Sequence, residues 1–131
     1  MLVACGERNR LPIRVGAVAA EVEVARTPEQ RMQGLMGRRE LPPDQGMLLV
    51  FPQQKVLQLW MLNTEIALDV GFFDADGVLI QQIGMLPDGG RRIHSSSAPA
   101  RYALEMNLGW FKRQGLEPGA RLHLPALITA E

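Results

Sequence analysis

The chain has 131 residues, 47% of them hydrophobic and 21% charged, with 14 Lys+Arg against 14 Asp+Glu. That length suits one domain that buries a core without staples, and the composition excludes a disordered or collagen-like chain. The zero net charge gives no general electrostatic footprint for nucleic acid, and no apolar run reaches the roughly 20 residues that cross a bilayer.

Cys5 is the single cysteine, so no intramolecular disulfide can form. Its setting, Leu2-Val3-Ala4-Cys5-Gly6, reads as the end of a bacterial lipoprotein signal in which Cys5 carries the lipid. The basic start and apolar stretch of roughly 7–15 residues that such signals carry do not fit in front of it. Residues 1–10 are assigned as a lipobox-like remnant and polar spacer, and residues 11–131 as one globular β-rich domain. The expected location is periplasmic or extracytoplasmic, with the membrane touched only through a lipidated Cys5.

Leu11–Gly16 and Val18–Ala25 are predicted strands around a Gly16-Ala17 turn, the second alternating Val18, Ala20, Val22, Val24 against Glu21 and Glu23. Thr27-Pro28-Glu29-Gln30 opens a helix: Thr27 caps, Pro28 suits the first position and Gln30 closes a capping box. Met32, Leu35 and Met36 make its apolar stripe, and Gly37 or Arg38-Arg39 ends it. Met47–Phe51 reads as a core strand stopped by Pro52. Val56–Met61 reads as another, with Val56, Gln58 and Trp60 on one face and Leu57, Leu59 and Met61 on the other.

Ala75-Asp76-Gly77 between Asp69–Asp74 and Val78–Ile83 is a hairpin signal. Residues 85–99 read as loop, Tyr102–Met106 as a strand, Gly109–Gln114 as one or two helical turns, and Arg121–Leu124 as a last strand. The expected fold is mainly β with two short helices, a compact β-barrel-like or rolled antiparallel sheet.

Asp74-Ala75-Asp76-Gly77 opens like a calcium loop but lacks the later ligands, and His94 and His123 have no zinc-type spacing, so no metal site and no cofactor are assigned. Nucleophile-elbow, phosphate-loop and dinucleotide motifs are missing. The serines beside His94 read as a solvated loop rather than as nucleophiles. The Met-rich segments (Met32, Met36, Met47, Met61, Met106) read as core filling.

Asp69 and Glu105 stand out as carboxylates inside apolar strands. A buried charge without a partner costs several kcal/mol, so each meets water, an arginine (Arg31, Arg38, Arg101, Arg121) or backbone amides. A cleft that held both would raise one pKa and supply a general acid, and these two are the catalytic candidates. Trp60 could stack a sugar or an apolar ligand, or fill the core. Asn63 and Thr64 suit a turn.

Four ordered blocks carry a family resemblance: Gly34-Leu35-Met36-Gly37-Arg38; Gly46–Phe51; Trp60-Met61-Leu62-Asn63-Thr64-Glu65-Ile66-Ala67-Leu68-Asp69; and Pro99-Ala100-Arg101-Tyr102-Ala103-Leu104-Glu105 with Gly109. Over residues 13–126 the chain resembles the domain of unknown function 192 family, also catalogued as uncharacterised protein family 0127. Two positions depart from the family pattern: Leu62 stands where a lysine is usual, and Ala67 where a proline is usual. The resemblance implies a small β-rich domain, often behind a signal peptide, with no established activity. It carries over Arg31, Gly34, Met36, Arg38, Trp60, Met61, Asn63, Thr64, Asp69, Arg101, Glu105 and Gly109.

The ligand-binding candidates are Arg38, Trp60, Met61, Asn63, Thr64, Asp69, Arg101 and Glu105. Three readings follow. The first is a non-catalytic binding or accessory module of the envelope, for a small molecule or a cell-envelope protein and not for nucleic acid. The second is a small hydrolase or lyase using Asp69 or Glu105 as general acid or base. The third is an interaction domain that docks through a sheet edge.

Overall fold

The computed structural model describes residues 9–131; Cys5 and the segment read as a lipobox lie outside them. The described elements, in chain order, are β1 (Leu11–Val15), β2 (Val18–Ala25), α1 (Pro28–Gln33), β3 (Gln45–Lys55), β4 (Gln58–Leu59), β5 (Leu68–Phe73), β6 (Leu79–Met85), β7 (His94–Ser95), β8 (Ala100–Asn107), α2 (Trp110–Arg113) and β9 (Leu122–His123). Seven strands form one sheet in the order β6-β5-β8-β3-β2-β1-β9. It curls into a half-barrel. The fold is mostly β with two short helices, as the sequence predicts.

β1 and β2 form the expected hairpin, Val15 facing Val18, with Gly16 at φ +58 in the turn, a conformation that costs a side-chain-bearing residue more. The capping box is present: the Gln30 amide donates to Thr27 Oγ1 at 3.1 Å and the Thr27 amide to Gln30 Oε1 at 3.3 Å. α1 stops earlier than predicted, at Gln33, with Gly34 at φ +47 as its C-cap. Of the predicted stripe, only Leu35 is buried, and Met32 is 63% exposed. α1 carries the chain across so that β2 and β3 run parallel, while every other neighbouring pair in the large sheet is antiparallel.

Pro52 does not stop β3, which runs to Lys55. The pairing with β8 slips between Val50 and Lys55, and that irregularity absorbs a residue with no N–H for the ladder. The 56–61 segment alternates as predicted: Leu57, Leu59 and Met61 are buried, and Val56 and Trp60 are exposed. It pairs over Gln58–Leu59 with His94–Ser95, inside the segment expected to be loop. Ser96 is structural. Its Oγ accepts from the Leu57 amide at 2.9 Å and donates to the Ala98 carbonyl at 2.7 Å.

The Asp-Gly hairpin joins β5 and β6, with Asp74 Oδ1 accepting from the Asp76 and Val78 amides at 2.9 Å. The turn thus spends the carboxylate that resembled a calcium ligand. The outer edge of β6 is partly covered. Leu79 exchanges backbone bonds with Ala120 and Gly119, and Gln82 Nε2 donates to the Leu116 carbonyl.

The sheet buries both faces. One face, the inner one, packs Ile13, Val15, Ala20, Val22, Leu48, Val50, Phe73, Leu104 and Met106 against Trp110 and Phe111 of α2. The outer face packs Met47, Leu49, Leu68, Val70, Phe72 and Ala103 against Leu35, Leu41, Leu57, Leu59, Met61 and Ile66. Side chains alternate along each strand, so neighbours in sequence serve different cores.

Candidate functional site

That alternation decides where the two carboxylates go. In the antiparallel β5–β8 ladder, Asp69 lies opposite Met106 and Val70 opposite Glu105. Residues opposite each other share a face. Met106 belongs to the inner core and Val70 to the outer one. Asp69 therefore points inward and Glu105 outward. A single cleft holding both, one of the sequence-level possibilities, does not exist.

Asp69 is 8% exposed. Its Oδ2 accepts from the Phe111 amide at a long 3.4 Å. That amide lies in the first turn of α2, where a helix leaves N–H groups without internal partners. Asp69 thus caps, from a neighbouring strand, a helix whose own N-cap is Gly109 with no side-chain cap.

Glu105 is 7% exposed, and no hydrogen bond or ion pair holds its carboxylate among the described residues. Burial alone pushes its pKa from 4.5 up to about 7, because desolvation penalises the charged form. It lies in a groove of about 330 Å³ between α1 and the 58–64 segment. The apolar lining includes Leu35, Leu49, Leu59, Met61 and Leu68, with Phe51, Met32 and Met36 also contributing. Trp60 contributes a ring that is 42% exposed.

Among the described residues, Arg31 is the one other charged side chain lining the groove. Its Nη1 donates to the Val50 carbonyl at 2.9 Å and its Nη2 to Glu131 O at 2.6 Å. Its guanidinium lies 4.8 Å from the Phe51 ring centroid, a cation–π contact. Burial draws its pKa below the ordinary value, while Glu131 and Glu29 push it the other way.

Four of the sequence candidates therefore line one groove: Trp60, Met61, Thr64 and Glu105. Thr64 is buried and its hydroxyl donates to the Leu62 carbonyl at 3.0 Å. The others lie elsewhere. Arg38 pairs with Glu23 through both guanidinium nitrogens, Nη2 to Oε1 at 2.8 Å, and that hydrogen bond holds its pKa above the ordinary value. Asn63 sits at φ +52 and its carbonyl accepts from the Gly37 amide, which makes it a turn residue. Arg101 Nε donates to the Phe51 carbonyl at 3.1 Å, with its guanidinium over Tyr102.

Phe51 and Met32 line the groove without any sequence signal for a site, whereas Met36 and Arg31 stand among the residues that the resemblance carries over. Apolar residues in a strand or helix read as core, and Arg31 enters the sequence reading as a carboxylate partner and as a residue the resemblance carries over. The early end of α1 at Gln33, which the sequence does not signal, leaves Met32 and Met36 at a rim rather than in a core.

Comparisons with known proteins agree with this architecture. The family model for domain of unknown function 192, described as an uncharacterized ACR, matches residues 11–124. The chain belongs to that family. A crystal structure of a provisionally assigned transcription regulator from Sinorhizobium meliloti 1021 is similar, with TM-score 0.85 and 35% identity over 92% of this chain and 98% of that one. So is a protein of unknown function from Novosphingobium aromaticivorans DSM 12444, with TM-score 0.84 and 25% identity over 94% of this chain and 91% of that one. No curated protein matches the chain.

Proposed function

We propose that the protein is a small-ligand-binding module and that the groove over Glu105 is its site. The observation that carries this reading is a buried carboxylate, without a partner among the described residues, in a concave, mostly apolar cavity. Folding gains nothing from such a group, since an uncompensated buried charge is costly. Ligand sites combine an apolar wall with a few placed polar groups, and perturbed pKa values gather there.

The test is a fragment screen followed by methyl and indole NMR shifts. Fragments that bind should move Trp60, Met61 and the Met32 and Met36 methyls, and Trp60→Ala should abolish the shifts. Shifts confined to residues outside the groove would overturn the proposal.

A second reading, a hydrolase or lyase, keeps one supporting observation: a carboxyl titrating near 7 can give and take a proton at neutral pH. It would act without Asp69, which faces the other core. Turnover of a bound fragment, lost in Glu105→Gln, would favour this reading.

The Leu2-Val3-Ala4-Cys5 pattern supports placing the module at the cell envelope through a lipidated Cys5. Palmitate labelling that disappears in Cys5→Ser is the check. The regulator description of the Sinorhizobium neighbour is not carried over as DNA binding, because the balanced charge gives little phosphate attraction.

A further inference from the structure

We propose that the groove selects a small organic cation, a protonated amine on an apolar body, whose ammonium sets against the Glu105 carboxylate. This rests on the reading of the groove as a ligand site and names the class of ligand. Three observations converge on it. Glu105 is 7% exposed and has no partner among the described residues. A cation is what a desolvated carboxylate lacks, and charge-assisted hydrogen bonds are the stronger kind. An anion would set like charge against it.

The second observation is the wall. Leu35, Leu49, Leu59 and Leu68 offer apolar surface for the body of the ligand. The Trp60 ring is 42% exposed, and aromatic faces attract cations. Phe51, a lining residue, already draws cations within the protein: Arg31, which lines the groove, and Lys55, which does not, lie 4.8 and 5.8 Å from its ring centroid.

The third is that the cation already lining the groove is engaged elsewhere. Arg31 donates to Val50 O and Glu131 O and forms no ion pair with Glu105. A cavity of about 330 Å³ is near the lower end for small-molecule sites, so the ligand is small. The more open depression along β1 and residues 123–125 has a larger volume of about 700 Å³. It lacks a buried, unpartnered charge.

The groups around Glu105 leave its charge to the ligand. Met47 of β3 and Val70 of β5 lie opposite it and do not titrate. Arg101 is two strand positions from Ala103 on the same face of β8 but is turned to the Phe51 carbonyl. Arg31 of α1 is the other charged lining group. Below neutral pH the floor is protonated, so a cation must expel that proton to bind. Binding should therefore tighten as pH rises towards 8.

The experiment compares three molecules of one shape: phenethylamine, 2-phenylethanol and 3-phenylpropanoate. Each is titrated into the protein at pH 5.5 and pH 8 while the methionine methyl shifts are followed. At pH 8 the amine should bind about tenfold more tightly than the alcohol, as a charge-assisted contact implies. That advantage should shrink at pH 5.5 and vanish in Glu105→Gln, which should still bind the alcohol. The pH series on the unaltered protein tests the point whether or not the variant folds. Equal or tighter binding of the alcohol or the acid, with Met61 still shifting, would overturn the cation assignment and leave the site. No shift with any of the three would overturn both.

Discussion

Asp69 and Glu105 sit one ladder position apart between β5 and β8, and their surroundings could hardly differ more. Asp69 turns into the closed inner face, where a backbone amide of α2 meets it. Glu105 turns to the outer face, where the covering segments leave a groove and no described residue answers its charge. A carboxylate satisfied by the main chain serves the fold, whereas one left bare at a cavity floor serves something that binds.

The two faces should respond differently to substitution, and the largest effect is expected at Glu105. Unfolded, its carboxyl titrates near 4.5; folded, near 7. Below the lower value both states hold the proton. Between the two values the unfolded chain ionises first, so stability falls as pH rises, and above about 7 the full loss of about 3 kcal/mol is in place. Glu105→Gln should remove that slope. It should gain about 3 kcal/mol over the parent at pH 8 and almost nothing at pH 4, measured by urea unfolding across pH. A variant that loses stability at pH 8 would mean that Glu105 holds the fold.

The inner face should be less tolerant of added volume. A Cβ on Gly71 would lie 2.5 Å from Phe111 Cζ, so the strand has a glycine where the α2 ring packs. Gly71→Ala should cost about 2 kcal/mol through overpacking, read from the same unfolding curves, and leave binding in the groove intact. Loss of binding in this variant would show that the two faces are coupled.

The smallest expected change in stability is at Asp69. Asp69→Ala leaves the Phe111 amide without its acceptor, at a cost of about 1 kcal/mol for a lost cap. Fragment shifts at Trp60 and Met61 should not change. If they disappear, Asp69 belongs to the site after all.

Local signals in the sequence predicted local structure well. The Thr27–Gln30 box, the Asp76-Gly77 turn and the alternation of residues 56–61 each rest on neighbours a few positions apart. Long-range pairing was not legible. Pro52 continues a strand because β8 tolerates a slip beside it, and β7 exists because Gln58–Leu59 lies next to it. The same limit hid the site. Strand alternation separates odd from even positions within β5 or β8, but only the register between them shows that Asp69 and Glu105 face apart. The groove itself comes from the early end of α1 and the path of residues 58–64, neither of which leaves a motif.

The central claim is that Glu105 is a buried, unpartnered carboxyl at the floor of a groove. Its most direct test is a carbon-13 NMR titration of the Glu105 side-chain carboxyl in the unaltered protein. A midpoint at about 7, moving down when phenethylamine is added, is the predicted result. A midpoint near the ordinary 4.5, indifferent to the amine, would show a carboxylate already solvated or paired and would contradict the account.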